Sequence, residues 1–551
     1  MGPKIQNLSS TQIGDPNSQI RNWRLTTAER RRILLNNIYG VDIDPQAVEV
    51  TKLSLLLKVL EGESEQTIVK QLKMFHERAL PDLGNNIKCG NSLIGTDFYN
   101  NPLNPPLLRG NPDIPLRKGG EGVVTHLAGS GVLSDEERCK VNPFDWETEF
   151  PEIMKNGGFD AVIGNPPYGA SFSKQEAEYF CQRYKVFSSV RDVYTCFMEK
   201  SIALLRMGGR SSFIVPSAWL GGPEYENIRE ILLSMKIENI VLLPFDVFTD
   251  AYVDTTVFVI SKQTLVSDHK VKTFIYGKRE RIQKIELLEK DYKFLAQNEW
   301  TNTEGKKFVL DPGTVSLLGY IRKRTTLTFS AVLKIKRGVL FNKELLTEKK
   351  TSTNSYRYFE GDIYRYQLNF AANRWVEFDD RMKERPKEFV WFEGQRILLR
   401  RLVNRRHRLM ATLVWDTFIT NKNLYSILCK DKVSDIRVIL GILNSRLISY
   451  LYINQVTQAT KDDFPQVTIK DVLTLPFPII INDKTHHDRM VVLVDQMLEL
   501  HKQLASAKTD HDKTIIQRQI DATDRQIDQL VYELYGLTEE EIKIVEKMIT
   551  K

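Results

Sequence analysis

The chain has 551 residues, which is enough for two or three domains at ~150 residues each. Its 42% hydrophobic and 27% charged residues, with a net charge of +7, are typical of a globular protein, and no apolar run approaches the ~20 residues of a membrane span. The five cysteines have no paired or metal-type spacing and the N-terminus has no signal-peptide core, so we expect a reducing cytoplasm, no membrane partner and no metal site.

Residues 1–290 alternate short apolar strands with helical patterns, as a parallel α/β sheet requires. Residues 38–42 predict a strand that ends at Asp42, and residues 45–60 predict an amphipathic helix capped by Asp44. Further strand patterns lie at residues 87–93 and 159–164 and in the segments SSFIVPSAWL and TTVFVIS.

The tetrapeptide Asn165-Pro166-Pro167-Tyr168 follows the apolar strand FDAVIG, at the end of a strand where open α/β sheets bind ligands. Two prolines remove two backbone donors, so the Pro166 carbonyl is left as an acceptor beside the Asn165 amide oxygen. Tyr168 adds a flat aromatic face. Two acceptors and a stacking plane suit an exocyclic amine on a planar ring, whereas the alternative interpretation is a rigid turn that closes the strand.

The segment GFDAVIGNPPYGA resembles the catalytic motif of methyltransferases that transfer a methyl group from S-adenosylmethionine to adenine N6. The resemblance implies catalytic roles for the four residues of the tetrapeptide and stacking of Tyr168 on an adenine flipped out of the duplex. Phe248 matches the aromatic residue that covers the other face of that base in related enzymes, although ordinary core packing is an alternative for it.

Two segments upstream resemble cofactor motifs of the same enzymes. The segment NNIYGVDIDPQAVEVTKLSLLLKVLEGE implies that Asp42 holds the ribose of S-adenosylmethionine and that Ile43 packs against its adenine. The segment IKCGNSLIG implies that Asn91 contacts the adenine amine, with an amide oxygen where a carboxylate is an alternative in the family.

A third motif of these enzymes is missing from this sequence. Relatives carry a Gly-rich loop of the pattern DPACGSGxFL upstream of the segment similar to residues 22–44, and there glycine permits close approach to the methionine moiety. No such loop lies between Met1 and Asn37. We therefore expect the first strand to be absent and this chain alone to bind the cofactor weakly or not at all. The hypotheses are a broken gene, a start assigned too late, or a separate N-terminal chain that supplies the motif.

Residues 325–480 have a different character, with aromatic and β-branched runs and dense arginines. Residues 331–480 contain 26 Lys and Arg against 16 Asp and Glu, a difference of +10, which leaves −3 for the remainder of the chain. This basic excess indicates a polyanion, and the block resembles the target-recognition domains of DNA adenine methyltransferases. Six clustered arginines can bind phosphates or guanine edges, or can form a solvated charged face: Arg396, Arg400, Arg401, Arg405, Arg406 and Arg408.

Residues 486–551 predict a helical segment that packs on the second block or, as a less favoured alternative, on another chain. One helical face carries five apolar residues, and Gly536 ends the helix. Those apolar residues are Ile520, Ile527, Leu530, Val531 and Leu534.

The order of cofactor motifs, NPPY and recognition block resembles the γ class of adenine methyltransferases. From residue 22 to residue 551 the chain resembles the methyltransferase and specificity parts of type IIG restriction–modification enzymes. We thus expect an N-terminally truncated Rossmann-like methyltransferase sheet (1–290), a mixed α+β target-recognition domain (325–480) and C-terminal helices (486–551), which together methylate adenine N6 in double-stranded DNA.

Other interpretations remain. No PD-(D/E)xK nuclease site is found, so nuclease activity is not predicted for this chain. A catalytically dead DNA-binding subunit and a methyltransferase of phage-exclusion type are alternatives. A protein N5-glutamine methyltransferase also uses NPPY, but it would not need a basic second domain.

Overall fold

A computed structural model describes residues 8–10, 23–61, 81–100, 141–188, 192–244, 247, 253–265, 268–277, 287–402, 408–430, 435–455, 466–478 and 484–549. The chain divides into two compact units. Unit 1 comprises Met1–Val162 and Gly169–Gly209, and unit 2 comprises Ile163–Tyr168 and Arg210–Lys551. The NPPY tetrapeptide therefore belongs to unit 2, whereas the predicted cofactor residues belong to unit 1.

The strands and helices of the described ranges are numbered in chain order. The strands are β1 (Leu8–Ser10), β2 (Trp23–Leu25), β3 (Gly40–Asp42), β4 (Ile87–Cys89), β5 (Phe159–Gly164), β6 (Leu205–Pro216), β7 (Lys236–Leu242), β8 (Thr255–Ser261), β9 (Lys270–Ile275), β10 (Lys293–Ala296), β11 (Leu327–Thr328), β12 (Leu333–Arg337), β13 (Ser355–Tyr364), β14 (Gln367–Glu377), β15 (Arg396–Arg400), β16 (Ala411–Val414), β17 (Leu424–Cys429) and β18 (Pro476–Phe477). The α-helices are α1 (Thr27–Asn37), α2 (Pro45–Leu60), α3 (Trp146–Glu149), α4 (Pro151–Lys155), α5 (Lys174–Arg183), α6 (Val193–Leu204), α7 (Glu226–Leu233), α8 (Pro312–Arg324), α9 (Phe329–Val332), α10 (Ile436–Asn444), α11 (Arg446–Gln455), α12 (Ile469–Thr474), α13 (Lys484–Ser506), α14 (Asp510–Tyr535) and α15 (Glu539–Ile549).

Unit 1 contains a β–α–β arrangement in which β3 and β4 pair in parallel and α2 connects them. The predicted cap of α2 is confirmed, because the Asp44 side chain accepts a hydrogen bond from the Gln46 N–H and Pro45 occupies the first turn. The Asn86 amide, which is buried just before β4, donates to the Ile38 carbonyl at 3.0 Å. This bond ties the end of α1 to the start of β4.

A six-stranded sheet has the order β10-β9-β7-β8-β6-β5. The predicted strand TTVFVIS is confirmed as β8, and the first six residues of SSFIVPSAWL lie in β6; the last four, Ser217–Leu220, form a 3-10 helix and not a strand. The sequence pattern predicted a parallel sheet, but this sheet is mixed: β7 and β9 are parallel, whereas β8 is antiparallel to both β6 and β7. Strand periodicity does not encode direction, so the antiparallel course of β8 could not be predicted from its residues.

The specificity segment of unit 2 contains a four-stranded antiparallel sheet, β12-β17-β15-β16, and the hairpin β13–β14. Its core is continuous with the C-terminal helices, because Ile397 and Ile427 belong to one hydrophobic cluster with Ile527 and Val531. Helix α14 ends as predicted at Gly536, whose φ of 65° is left-handed. The C-terminal helices thus pack on the recognition block, as the sequence favoured. In the part of the chain that is described, no single helix is long and apolar enough to cross a membrane, and only the bent pair of α10 and α11 would pass on length and composition.

Two buried carboxylates of α14 hold arginines of the specificity segment. Asp524 accepts from Arg365 Nη1 at 2.9 Å. Asp528 Oδ1 accepts the Arg446 backbone N–H at 2.7 Å and lies 4.0 Å from Arg408 Nη2. Burial raises the pKa of Asp528; burial also opposes ionisation of Asp524, but Arg365 holds the pKa of Asp524 below its ordinary value.

Replacement of Asp528 by alanine should lower the free energy of unfolding by about 3–5 kcal/mol, because Arg408 would be left buried without its carboxylate. Urea denaturation measures the change. Asp521→Ala, on the exposed face of the same helix, is the control and should stay within ~0.5 kcal/mol of the wild type. Equal effects of the two substitutions would show that the buried pairing does not stabilise the fold.

Candidate active site and DNA interface

The tetrapeptide at the end of β5 presents one exposed amide next to one anchored tyrosine. Asn165 and Pro167 are exposed, Pro166 is buried and Tyr168 is half-buried. The Tyr168 hydroxyl lies 2.8 Å from Asn165 Oδ1 and 2.9 Å from the carbonyl oxygen of Ile214 in β6. Burial raises the pKa of Tyr168, so the hydroxyl keeps its proton and donates to one of these two oxygens at a time.

Glycines flank the tetrapeptide for two different reasons. A Cβ on Gly164 would lie 2.6 Å from Cε1 of Phe213, so β5 can approach β6 here only without a side chain. Gly169 has open space around it, but its φ of +63° is left-handed and favours glycine. The first glycine thus permits close packing and the second permits the turn out of the site.

Asp192, which immediately precedes α6, is a candidate that no sequence motif indicates. The backbone N–H groups of Gly169 and Tyr194 favour its charged form, but burial has the larger effect and raises the pKa of Asp192. Its Oδ1 is buried and has no hydrogen-bond partner among the described residues. A partly buried carboxyl group that interacts with the residue after Tyr168 is a signal that only the fold reveals.

In unit 1, Asp42 ends β3 with its carboxylate exposed. Oδ1 accepts the Asp44 N–H at 2.9 Å, and no described residue donates to Oδ2. Ile43, which follows, is 51% exposed. A free carboxylate oxygen beside an exposed apolar side chain fits a ribose hydroxyl and an adenine face, as the sequence predicted for these two residues.

Asp42 is the last residue of β3, and Asn91 lies two residues after the end of β4. Because β3 and β4 are parallel, both residues lie at the same end of the strand pair. Asn91 Oδ1 accepts the Leu93 N–H at 3.1 Å, and the Asn91 N–H donates to the Asn142 carbonyl at 2.6 Å. An amide oxygen has two lone pairs, so Asn91 Oδ1 can still accept a bond from an adenine amine. The residues that are present therefore fit the ribose and adenine parts of S-adenosylmethionine.

The arginine cluster does not form one surface. Arg396 is fully buried and donates to the carbonyls of Gly394 and Asp416 at 2.9 Å and 2.8 Å. Burial lowers the pKa of Arg396 to about 10. Arg408 is buried beside Asp528, as described above. Such burial is inconsistent with a phosphate contact, so we remove Arg396 and Arg408 from the predicted DNA interface.

The other members of the cluster differ from these two. Arg400 is 28% exposed and its Nη1 lies 3.9 Å from Asp362 Oδ1, whereas Arg401 Nη2 donates to Gln466 Oε1 at 2.6 Å. Arg400 and Arg401 remain candidates for DNA binding. Arg405, Arg406 and the predicted stacking residue Phe248 lie outside the described residues.

Comparison with known proteins finds a family match for each of two segments of the chain. Residues 36–248 match the Eco57I restriction-modification methylase family, and residues 356–477 match the TaqI-like C-terminal specificity domain. The first of these segments is thus similar to restriction-modification methylases, and the second is similar to a specificity domain. The resemblance drawn from NPPY and the cofactor motifs is thereby confirmed.

Relatives and a solved structure agree with this assignment. The chain is 27% identical over 92% of its length to a predicted type II restriction enzyme and methyltransferase of Methanocaldococcus jannaschii, and 25% identical over 64% of its length to the type II restriction enzyme and methyltransferase RM.Eco57I of Escherichia coli. It spans 49% and 31% of these longer proteins, which offer no support for a separate N-terminal chain. The type IIL restriction-modification enzyme MmeI in complex with DNA has a similar fold, with a TM-score of 0.50 and 12% identity over 74% of this chain and 58% of that one.

Gly164→Ala should destabilise unit 2 by about 1–3 kcal/mol, because the new methyl group would overlap the Phe213 ring. Thermal unfolding followed by circular dichroism measures the loss. The double variant with Phe213→Leu, which shortens the ring side chain, should recover part of the stability. If Gly164→Ala melts at the wild-type temperature, the close approach of β5 to Phe213 is not a constraint on the site.

Proposed function

We propose that this chain contains the methylation and sequence-recognition parts of a DNA adenine-N6 methyltransferase of a restriction–modification system. Its proposed substrate is double-stranded DNA, and its proposed location is the cytoplasm. The observation that carries the proposal is the exposed Asn165 amide, fixed next to Tyr168 at the end of β5. The proposal is supported by the position of Asn165 and Tyr168 within residues 36–248, the segment that matches restriction-modification methylases.

The tetrapeptide can orient an exocyclic amine. Asn165 Oδ1 and the Pro166 carbonyl accept the two N–H bonds of adenine N6, which draws the nitrogen lone pair out of conjugation with the ring. The Tyr168 hydroxyl can turn to the Ile214 carbonyl when the amine arrives, so that Asn165 Oδ1 becomes available. Because neither residue needs to gain or lose a proton, orientation supplies most of the rate.

Access to adenine N6 requires that the base leave the duplex. The Tyr168 ring then stacks on one face of the base, and Phe248 is the proposed cover for the other face. Asp42, Ile43 and Asn91 hold the ribose and adenine of S-adenosylmethionine, which when bound supplies an electrophilic methyl group.

Asn165→Ala should reduce adenine methylation by roughly 10²–10³-fold, the usual effect of losing one group that stabilises charge in a transition state. The chain is expressed together with the Gly-rich cofactor segment that relatives carry, in a host without adenine methylation of its own, and N6-methyladenine is mapped by single-molecule sequencing of the host DNA. Asn156→Ala, which removes an exposed amide that bonds only to the Glu152 carbonyl, is the control and should leave methylation unchanged.

The same assay separates the proposal from its main alternative. Substantial methylation by Asn165→Ala would remove Asn165 from the mechanism. If the wild-type chain binds DNA but methylates no site when the Gly-rich segment and S-adenosylmethionine are both present, that result would favour a catalytically inactive DNA-binding specificity protein. The observation behind that alternative is the charge of +10 in residues 331–480, which supports DNA binding and not methyl transfer.

Replacement of Arg400, Arg401, Arg405 and Arg406 by alanine should flatten the salt dependence of DNA binding. Each phosphate contact that is lost should reduce the slope of log K against log salt by about 0.9. Fluorescence anisotropy with a labelled duplex at several salt concentrations measures the slope. The control removes two exposed lysines of the C-terminal helices, Lys502 and Lys513, and should keep the wild-type slope. An unchanged slope in the arginine variant would show that the four arginines form a solvated face.

A further inference from the structure

Nearly every arginine that the structure describes between residues 331 and 480 is already neutralised. Nine of them lie within 4.0 Å of a carboxylate oxygen: Arg337, Arg365, Arg374, Arg381, Arg385, Arg400, Arg408, Arg437 and Arg446. Arg396 is enclosed by carbonyl groups and Arg401 donates to Gln466. Within these described ranges, Arg357 is the remaining arginine, and no carboxylate oxygen of a described residue lies within 4.0 Å of its guanidinium nitrogens.

Arg357 is nonetheless held in place. It lies in β13 opposite Trp375 of β14. Its Nε donates to Asn373 Oδ1 at 2.8 Å, and its guanidinium carbon lies 4.7 Å from the centroid of the Phe370 ring. Two contacts from the neighbouring strand thus fix the plane of the guanidinium group, while its two terminal nitrogens bond to no other group in the described structure.

The surroundings of Arg357 suit a nucleic acid. Phe370 is 37% exposed and Asn373 is also exposed. Lys350 Nζ lies 5.9 Å from the ring of Trp375, directly across from Arg357, and is exposed where it can contact a phosphate. The patch formed by Lys350, Arg357, Phe370, Asn373 and Trp375 therefore combines two positive charges with aromatic surface. None of these five residues is acidic.

The hairpin itself limits how DNA can approach. A two-stranded ribbon fits the major groove of B-DNA. The turn of this ribbon is not free, because Arg365 pairs with Asp524 and the Tyr366 N–H donates to the Ala411 carbonyl at 2.9 Å. The middle of β14, where Phe370 and Asn373 are exposed, is thus the part that remains open to the groove.

A guanidinium group fixed in a plane with both terminal amino groups available is a bidentate donor that matches O6 and N7 of guanine. We propose that Arg357 recognises a guanine of the DNA target and that Asn373 and Phe370 position it. The assignment rests on the proposed function, since it requires that the chain recognise a specific duplex sequence.

The test is selection of DNA by the full chain from a pool of duplexes with a randomised centre, followed by sequencing. The wild type should enrich a motif with at least one fixed guanine. Arg357→Ala and Arg357→Lys should lose the preference for one guanine by roughly 5- to 150-fold, the range expected for one bidentate contact, while all other positions keep theirs. Arg381→Ala, which removes an equal charge from an arginine paired with Glu377 and Asp379, should enrich the wild-type motif.

Each outcome decides a different point. An unchanged motif in Arg357→Ala overturns the role of Arg357 and leaves DNA recognition intact. Loss of preference at every position, together with a lower melting temperature of the protein, assigns Arg357 a structural role and also overturns the inference. Arg357→Lys, whose stem can still pack on Phe370, decides the question if Arg357→Ala does not fold. A wild-type chain that enriches no motif overturns the proposed recognition function itself.

Discussion

The buried carboxylates Asp524 and Asp528 are the constraint on which the specificity segment depends. A buried charge is costly unless it is paired, and the partners here come from three separate places in the chain: Arg365 from the turn of the β13–β14 hairpin, Arg408 from the segment before β16, and Arg446 from the start of α11. Any arrangement that moved α14 away from the sheet would separate these two carboxylates from their three arginines. The C-terminal helices are therefore part of the specificity fold.

This constraint explains why the arginine cluster of the sequence divides between two roles. The composition correctly indicated a basic region, but it cannot distinguish the buried Arg396 and Arg408 from the exposed arginines. Arg408 finds Asp528 at a separation of 120 positions, and Arg396 finds carbonyls of a loop 20 residues away. Local patterns carry no information on such distant partners. Arg357 lies outside the cluster, and its terminal guanidinium nitrogens differ from those of the clustered Arg396 and Arg401 because they bond to no described group.

Local rules predicted the features that depend on neighbouring residues. The cap at Asp44, the end of α14 at Gly536 and the strand before Asn165 all follow from propensities within a few positions. The bond from Tyr168 to the Ile214 carbonyl depends instead on which strand lies beside β5, as does the clash that excludes a side chain at Gly164. The sequence therefore identified the catalytic candidates, and the sheet order explains how they are held.

The division of the chain bears on how target choice and chemistry are connected. The residues proposed to hold the target amine, Asn165 to Tyr168, belong to the same compact unit as the whole specificity segment, whereas Asp42 and Asn91 belong to the other unit. Within unit 2, Tyr168 is bonded to β6, and β6 pairs with β8 in the sheet that precedes the specificity segment. The residues proposed for amine orientation and those proposed for base recognition therefore belong to one compact unit, and the sheet that anchors Tyr168 continues along the chain into the specificity segment.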